Sequence, residues 1–248
     1  MSNMMKSVSF SIGAPATELK GVSNKSKDVR LGSQVTGDAE RTIDANLWLG
    51  RAAEHYHISP NLSDYILVPV PSVISELPNT NGDSVSTAEL LRFHPELGQL
   101  AYRSWVGKPT HVEHDNRDIT KAKGVIFDVF LRKLPSFAGG HVKVIKLLGF
   151  DRTKDSVLCD AILSKRVNTY SLGMYFKAYQ CSICGNVVSQ NSGAPCQHTR
   201  PRRKTYKQVD GRLAYRKCLN IIGFETSVVA DPAYSVANSD LILDPTNM

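Results

Sequence analysis

The chain lacks any stretch approaching the roughly 18 consecutive apolar residues that a membrane-spanning helix requires. Its beginning, MSNMMKSVSFSIGAPATELK, also lacks the apolar core of a secretory signal peptide. From these two absences we expect a protein that stays in a cytoplasm and has no membrane partner.

Cysteine is scarce, and its number, five, is odd, so the thiols cannot all pair in intramolecular disulfides. Three of the cysteines and one histidine fall within the 18 positions of 181–198. This crowding favours a metal site in a reducing compartment over a disulfide framework. The zinc-hydrolase motifs HExxH and HxxEH are missing, because the string HVEH at 111–114 has a different spacing.

The composition is that of a chain able to form a core. Of its 248 residues, 42% are hydrophobic, which suits one sizeable domain, or one domain with an insert and tails. The formal net charge of +7 is a modest basic excess. It is compatible with a nucleic-acid partner, with an acidic protein partner, or with solubility alone.

The pattern along the chain predicts three parts. Residues 1–40 are rich in Ser, Lys, Gly and Asp, which is typical of a flexible N-terminal arm or a removable pro-segment. A main domain at 41–235 carries a cysteine-bearing insert at about 180–205, and a polar tail covers 236–248. The main domain is predicted to contain strands at 65–70, 124–131, 142–148, 169–179 and 217–230, helices at 87–93 and 155–165, and a polar loop at 107–118.

His114 lies in the polar loop, in the string Glu113-His114-Asp115-Asn116, shortly before the strand predicted from Gly124. A histidine in such a place can act as a general base near neutral pH, although a surface histidine in a charged loop has the same sequence signature.

Ser171 lies in the predicted strand at 169–179. Period-two alternation places Tyr170, Leu172 and Met174 on one face of this strand, and Ser171 and Gly173 on the other. The second face is small and polar, and the glycine removes side-chain bulk where a peptide backbone would approach. A half-exposed edge strand is the alternative interpretation.

Glu225 interrupts the apolar segment 221–233. Strict alternation places it on one face with Ile221, Gly223, Ser227 and Val229. An ionised carboxylate in apolar surroundings needs a partner, and a histidine would serve, with the carboxylate orienting the imidazole. A glutamate on the solvent face of an edge strand is the alternative.

Together and in this order, the segments resemble those of the prohead maturation proteases of tailed bacteriophages. The resemblance rests on three matches: His114-Asp115 before Gly124-Val125, the Ser-x-Gly string from Ser171, and the string ETSVVADPA from Glu225. It implies a serine endopeptidase with Ser171 as nucleophile and His114 as general base. Glu225 matches a third, orienting residue, and His111 and His141 stay as alternatives because related viral proteases can use a second histidine there.

The resemblance also implies a fold and a biological setting. The fold would be similar to herpesvirus assemblin: α+β, with a β-barrel-like core, surrounding helices and, in this chain, a small zinc-knuckle insert. The substrates would be scaffold or core proteins and the major capsid protein, cleaved inside the immature head (the prohead) in the host cytoplasm, and the enzyme would also cleave itself. The cysteine insert departs from the family pattern and lengthens the connection between the Ser171 and Glu225 strands.

The insert itself predicts a structural zinc site. Cys181-x-x-Cys184 opens it and Cys196-x-His198 closes it, and the first pair has the spacing that presents two thiolates to one tetrahedral ion. Three thiolates and an imidazole fill all four positions, whereas a catalytic zinc keeps one position open for water. We therefore predict one structural zinc ion with no catalytic role.

Two other functions fit parts of the sequence. A zinc-knuckle nucleic-acid-binding protein would explain the charge and the cysteines, but the chain has few aromatic residues near its basic run 200–204, so nucleic acid is the weaker choice of partner. A non-catalytic head or scaffold component would share the fold without the chemistry. Self-association into a homo-oligomer stays open.

Overall fold

A computed structural model describes residues 30–31, 41–42, 45–134, 141–199, 207–234 and 237. The strands are β1 (Arg30–Leu31), β2 (Arg41–Thr42), β3 (Tyr65–Ile74), β4 (Asp83–Ser84), β5 (Phe93–His94), β6 (Gln99–Leu100), β7 (Pro109–Val112), β8 (Gly124–Lys133), β9 (Val142–Asp151), β10 (Tyr170–Cys181), β11 (Val187–Ser189), β12 (Lys207–Val209), β13 (Arg212–Ala214) and β14 (Arg216–Val228). The helices are α1 (Ala45–Tyr56), α2 (Thr87–Leu90) and α3 (Ser156–Leu163), with 3-10 turns at Leu62–Asp64, Ala101–Trp105 and Ile119–Lys121.

The two predicted helices form, and both begin at a capping side chain. Ser86 accepts a hydrogen bond from the backbone N–H of Glu89, and Asp155 accepts one from Leu158. Both helices are shorter than predicted: the first ends at Leu90, and the second spans Ser156–Leu163. Helix α1 was not predicted, although its buried residues recur at helical spacing: Leu49, Ala52, Ala53 and Tyr56.

The long strands form one eight-stranded sheet in the order β11-β10-β14-β7-β8-β9-β3, with β4 pairing separately with β14. Strand β14 runs parallel to β7 and β4, and the other pairs in this sheet are antiparallel. The parallel pair brings the end of β14 beside the end of β7, so the loop after β7 lies next to the last residues of β14.

The prediction of mixed α+β structure is confirmed, but the prediction of a barrel is wrong in one respect. The sheet is not closed: across the described ranges, no ladder joins β3 to β10, although the two strands approach each other. Strand β3 contains Pro69 and Pro71, which have no N–H to donate and, being two apart, leave the same edge of the strand without donors. That edge cannot complete a ladder.

The core lies on both faces of the central strands. On β3, Ile66 and Val68 pack in the cluster around Trp105, whereas Tyr65 and Leu67 pack under α1 with Phe127. Since alternate residues of a strand point to opposite faces, this fits a strand buried on both sides. The part of β10 and β14 that faces away from the Trp105 cluster carries polar residues, and the candidate site is there.

Two predicted segments fall mainly outside the described residues: the arm 1–40, apart from β1, and the tail 236–248, apart from Ala237. Among the described residues, no helix is long and apolar enough to cross a membrane.

Candidate active site and candidate metal centre

The loop that carries His114 follows β7 directly, so part of the predicted polar loop is in fact a strand. Glu113 and His114 both adopt positive φ angles, 49° and 57°, a conformation that costs free energy for residues other than glycine. Glu113 makes two hydrogen bonds to the end of β14 and the residues that follow it. The N–H of Glu113 donates to the carbonyl of Val228 at 2.8 Å, and the N–H of Ala230 donates to Glu113 Oε1 at 2.8 Å. The strained loop is therefore fixed against the end of β14.

His114 and Glu225, 111 positions apart, meet in a short hydrogen bond. Nδ1 of His114 lies 2.5 Å from Oε1 of Glu225. The carboxylate is 1% exposed, whereas the imidazole is 42% exposed. The hydrogen bond to Glu225 raises the pKa of His114 above its ordinary value of 6.5. An ionised carboxylate only accepts, so Nδ1 carries the proton and Nε2 is the nitrogen free to exchange one with a substrate.

The second oxygen of Glu225 is also occupied. The hydroxyl of Ser227 donates to Oε2 at 2.6 Å, and Ser227 itself is fully buried. The backbone N–H of His114 in turn donates to Ser227 Oγ at 3.2 Å. Both carboxylate oxygens therefore have donors, which is what allows a carboxylate to remain in so buried a position.

Ser171 and Gly173 lie opposite these residues on β10. In the β10–β14 ladder, Ser171 pairs with Ser227 and Gly173 pairs with Glu225, and paired residues point to the same face. A Cβ at Gly173 would lie 2.6 Å from both Cγ and Oε1 of Glu225, so only glycine leaves room for the carboxylate.

Ser171 is 8% exposed, less than its predicted position on an open polar face implies. Among the described residues, no hydrogen bond joins its hydroxyl to His114. Such bonds are often long in a free enzyme and shorten when substrate binds. The three residues predicted from the sequence thus lie on one face, with His114 and Glu225 in direct contact and Ser171 on the adjacent strand.

Of the two alternative histidines, one lies at the site and the other does not. His111 pairs with Ser227 across β7 and β14, is 1% exposed, and its Nδ1 atom has no partner among the described residues. Burial lowers the pKa of His111. His141 precedes β9 at the far end of the β8–β9 hairpin, on the order of 30 Å along the strands from Gly124.

A β-bulge explains why Glu225 points to the His114 loop and not to the Trp105 cluster. Gly173 pairs with Glu225 but Met174 pairs with Gly223, so Phe224 is an extra residue on β14. Ile221 and Gly223 face the Trp105 cluster, whereas Glu225 faces the His114 loop. The prediction that Glu225 shares a face with Ile221 and Gly223 was wrong, because strict alternation does not hold across a bulge.

A buried lysine beneath the site was missed. Lys146 on β9 is fully buried, its Nζ donates to Thr226 Oγ1 at 2.9 Å and lies 4.4 Å from the centre of the Trp105 ring. Burial holds the pKa of the Lys146 amine well below its usual range. A lysine inside the apolar run of β9 was the signal that could have found it. Ser227 was visible in the segment after Glu225, but sequence alone gave it no role.

The predicted metal ligands come together at the other end of β10. One ligand atom from each of Cys181, Cys184, Cys196 and His198 lies within 4.8 Å of the others. Cys181 ends β10, and Gly185 turns the chain with a φ of +71°. Burial raises the pKa of the Cys196 thiol, but hydrogen bonds from Thr199 and the neighbouring thiols outweigh it and lower the pKa to about 6. Donors of this type in this arrangement are compatible with a metal site.

The remaining cysteines, Cys159 and Cys218, are buried in the core around Trp105 and take no part in this cluster.

No protein-family model, curated protein or solved structure matches this chain.

Proposed function

We propose that this protein is a serine endopeptidase that cleaves scaffold or core proteins and the major capsid protein, and also itself, during maturation of a tailed-phage head. The observation that carries the proposal is the hydrogen bond between His114 Nδ1 and the buried Glu225, on the same face as Ser171. A carboxylate that fixes an imidazole by Nδ1 and leaves Nε2 free is the arrangement a histidine base requires.

In the proposed reaction, the Oγ of Ser171 forms a bond to the scissile carbonyl carbon while its proton passes to Nε2 of His114. The C–N bond of the resulting tetrahedral intermediate then breaks, and His114 gives the proton to the leaving amine. Water then attacks the acyl carbon while His114 takes one of its protons, and the bond between that carbon and Oγ breaks as His114 returns the proton to Ser171. Glu225 stabilises the imidazolium at each step without becoming protonated.

The finer assignment of the fold is part of the proposal. In this sheet, β3 at one edge and β10, the last long strand at the other edge, approach each other without pairing. A herpesvirus-assemblin-like barrel with one open seam would have this arrangement. The setting that follows is the interior of the prohead in the host cytoplasm.

We propose that the four-ligand cluster holds one zinc ion with a structural role. Cysteine and histidine are the ligands zinc prefers, and with four protein ligands no position is left for a reacting water. The ion would close the long connection between β10 and β14.

The proposal is tested by co-expressing the full chain with candidate scaffold and capsid proteins and measuring intact masses. We expect cleavage by the wild type, and Ser171→Ala should reduce its rate by roughly 10³-fold or more. Ser164→Ala is the matched control, because Ser164 is exposed just after α3 and its hydroxyl bonds to the carbonyl of Asp160 in that helix.

Undiminished cleavage by Ser171→Ala would refute the assignment of the nucleophile. A wild type that cleaves neither protein would instead favour the non-catalytic head component. Salt-dependent retention of that inactive chain on nucleic acid would favour the zinc-knuckle alternative.

A further inference from the structure

One serine hydroxyl joins both halves of the His114–Glu225 pair. Ser227 Oγ donates to Glu225 Oε2 at 2.6 Å and accepts from the backbone N–H of His114 at 3.2 Å. A hydroxyl has one proton to donate, and here that proton is committed to the carboxylate. Since Ser227 is fully buried, water does not compete for these bonds.

The two bonds restrain different freedoms of the site. The bond to Oε2 fixes the rotation of the carboxylate, so that Oε1 is presented to the imidazole. The bond from the His114 N–H holds a backbone with positive φ, which would otherwise relax. Other contacts anchor Glu113, but this is the bond made by the backbone of His114 to the face that carries Glu225.

We propose that Ser227 is a positioning residue: its hydroxyl sets the relative placement of Glu225 and His114. Its effect on catalysis rests on the proposed function, whereas its effect on the imidazole does not. Ser227 pairs with Ser171 across the ladder, yet its proton points to the carboxylate, so it acts through Glu225 and not as an alternative nucleophile.

A matched pair of variants separates the hydroxyl from packing. Ser227→Thr keeps the hydroxyl and adds a methyl group. Ser227→Val introduces a side chain of nearly the same shape as threonine but without the hydroxyl. Because the added bulk is common to both, a difference between them reports the two hydrogen bonds. Ser227→Ala is the reserve variant if the buried site does not accept valine.

The first measurement is the pKa of His114, obtained by NMR titration of the full-length chain. The His114 signal is assigned as the one that is missing in His114→Gln. In Ser227→Val the pKa should fall towards 6.5, the ordinary value, because the bond to Glu225 weakens, and in Ser227→Thr it should stay near that of the wild type. A pKa that is the same in Val and Thr, or that rises in Val, would overturn the proposal.

The second measurement is the rate of cleavage. Ser227→Val should lose roughly 10- to 100-fold in kcat with KM within about 2-fold, and Ser227→Thr should recover most of the loss. Equal kcat values in the two variants would count against positioning. If the wild type proves inactive but the His114 pKa still falls in Ser227→Val, the proposed function fails and the role of Ser227 stands.

Discussion

Strands β10 and β14 carry a different cluster at each end. At one end, Ser171, Glu225 and the neighbouring His114 gather residues separated by up to 111 positions. At the other end, the knuckle gathers its ligands from one short segment, 181–198. The first cluster depends on the whole sheet for its geometry, whereas the second depends mainly on a local turn.

The difference teaches what each end should be sensitive to. The Glu225 end has a buried carboxylate, a strained loop and a glycine that cannot be enlarged, all of which serve geometry. At the knuckle end, the ligands belong to neither core cluster of the described residues, so a bound ion there should contribute mainly to stability. Changes at the two ends should therefore separate activity from stability.

The largest effect on activity, apart from that of Ser171, is expected at His114. His114→Ala should lower kcat/KM by roughly 10³-fold, because base and nucleophile act as one unit. The melting temperature should fall moderately, because Ala leaves Oε1 of the buried Glu225 without its donor, although the imidazole itself is 42% exposed. The rate of scaffold cleavage and thermal unfolding measure the two quantities, with His55→Ala on the exposed side of α1 as the control. Wild-type turnover in His114→Ala would mean that another residue is the general base, with His111 as the first candidate.

Glu225→Gln should have a smaller effect, a loss of roughly 10- to 10²-fold in kcat with KM nearly unchanged. Gln keeps the shape but removes the charge that raises the pKa of His114, so the acid limb of the rate profile should shift to lower pH. Kinetics between pH 5 and 9 measure this shift, with the exposed Glu54→Gln as control. An unshifted acid limb would contradict the assignment of Glu225 as the residue that orients the base.

The loss of stability caused by Glu225→Gln should depend on pH. A raised pKa in the folded state means that the His114–Glu225 bond contributes fully below about pH 6.5 and that the contribution is lost as pH rises through the folded pKa. Glu225→Gln should therefore destabilise more at pH 6 than at pH 9. Thermal unfolding at the two pH values gives the comparison.

At the knuckle end, the main effect should be on folding. Cys184→Ser should reduce bound zinc from about one ion per chain and lower the melting temperature by about 5 °C or more. Elemental analysis and thermal unfolding measure these, and a chelator should reproduce the shift in the wild type only. Cys159→Ala is the control, because Cys159 is buried outside the cluster and its loss should leave the zinc content unchanged. Metal-free wild type purified without chelators would contradict the zinc proposal.

The smallest effect on the melting temperature is expected at Lys146, the buried lysine beneath the site. Lys146→Met should raise the melting temperature by about 2–4 °C at pH 7, since burying an amine costs more than burying a thioether. The folded state depresses the pKa of Lys146, so the wild type gains stability as pH rises towards 10.5 and the advantage of Met should shrink by pH 9.5. The half-buried Lys143→Met is the control on the same strand. A marked loss of stability would mean that the bond to Thr226 outweighs the cost of burial.

The sequence predicted the local features of both ends better than the distant ones. The spacing of Cys181 and Cys184 is a local property, and the structure brings these ligands together. The alternation around Ser171 likewise placed Tyr170, Leu172 and Met174 against the core. Both depend only on residues a few positions apart.

The sequence did not predict what depends on pairing between strands. The parallel register that sets Ser227 beside His111 follows from long-range packing that no short pattern contains. The open edge of β3 has a local cause in its two prolines, but only the assembled sheet shows which strand approaches that edge. The choice between His111, His141 and Glu225 as the partner of His114 could be approached only once the strands were in place.

The extra residue at Phe224 has a consequence for how β14 tolerates insertions and deletions. Before it, alternate residues such as Ile221 and Gly223 point to the core, and after it the same parity points to Glu225's side. Deleting Phe224 would restore simple alternation and leave Glu225 opposite Gly173, facing the His114 loop, whereas a strand that kept Phe224 without the bulge would direct the carboxylate at the indole of Trp105. At this place the bulge decides where Glu225 points, so both Phe224→Leu and removal of Phe224 should leave the carboxylate on the face of Ser171.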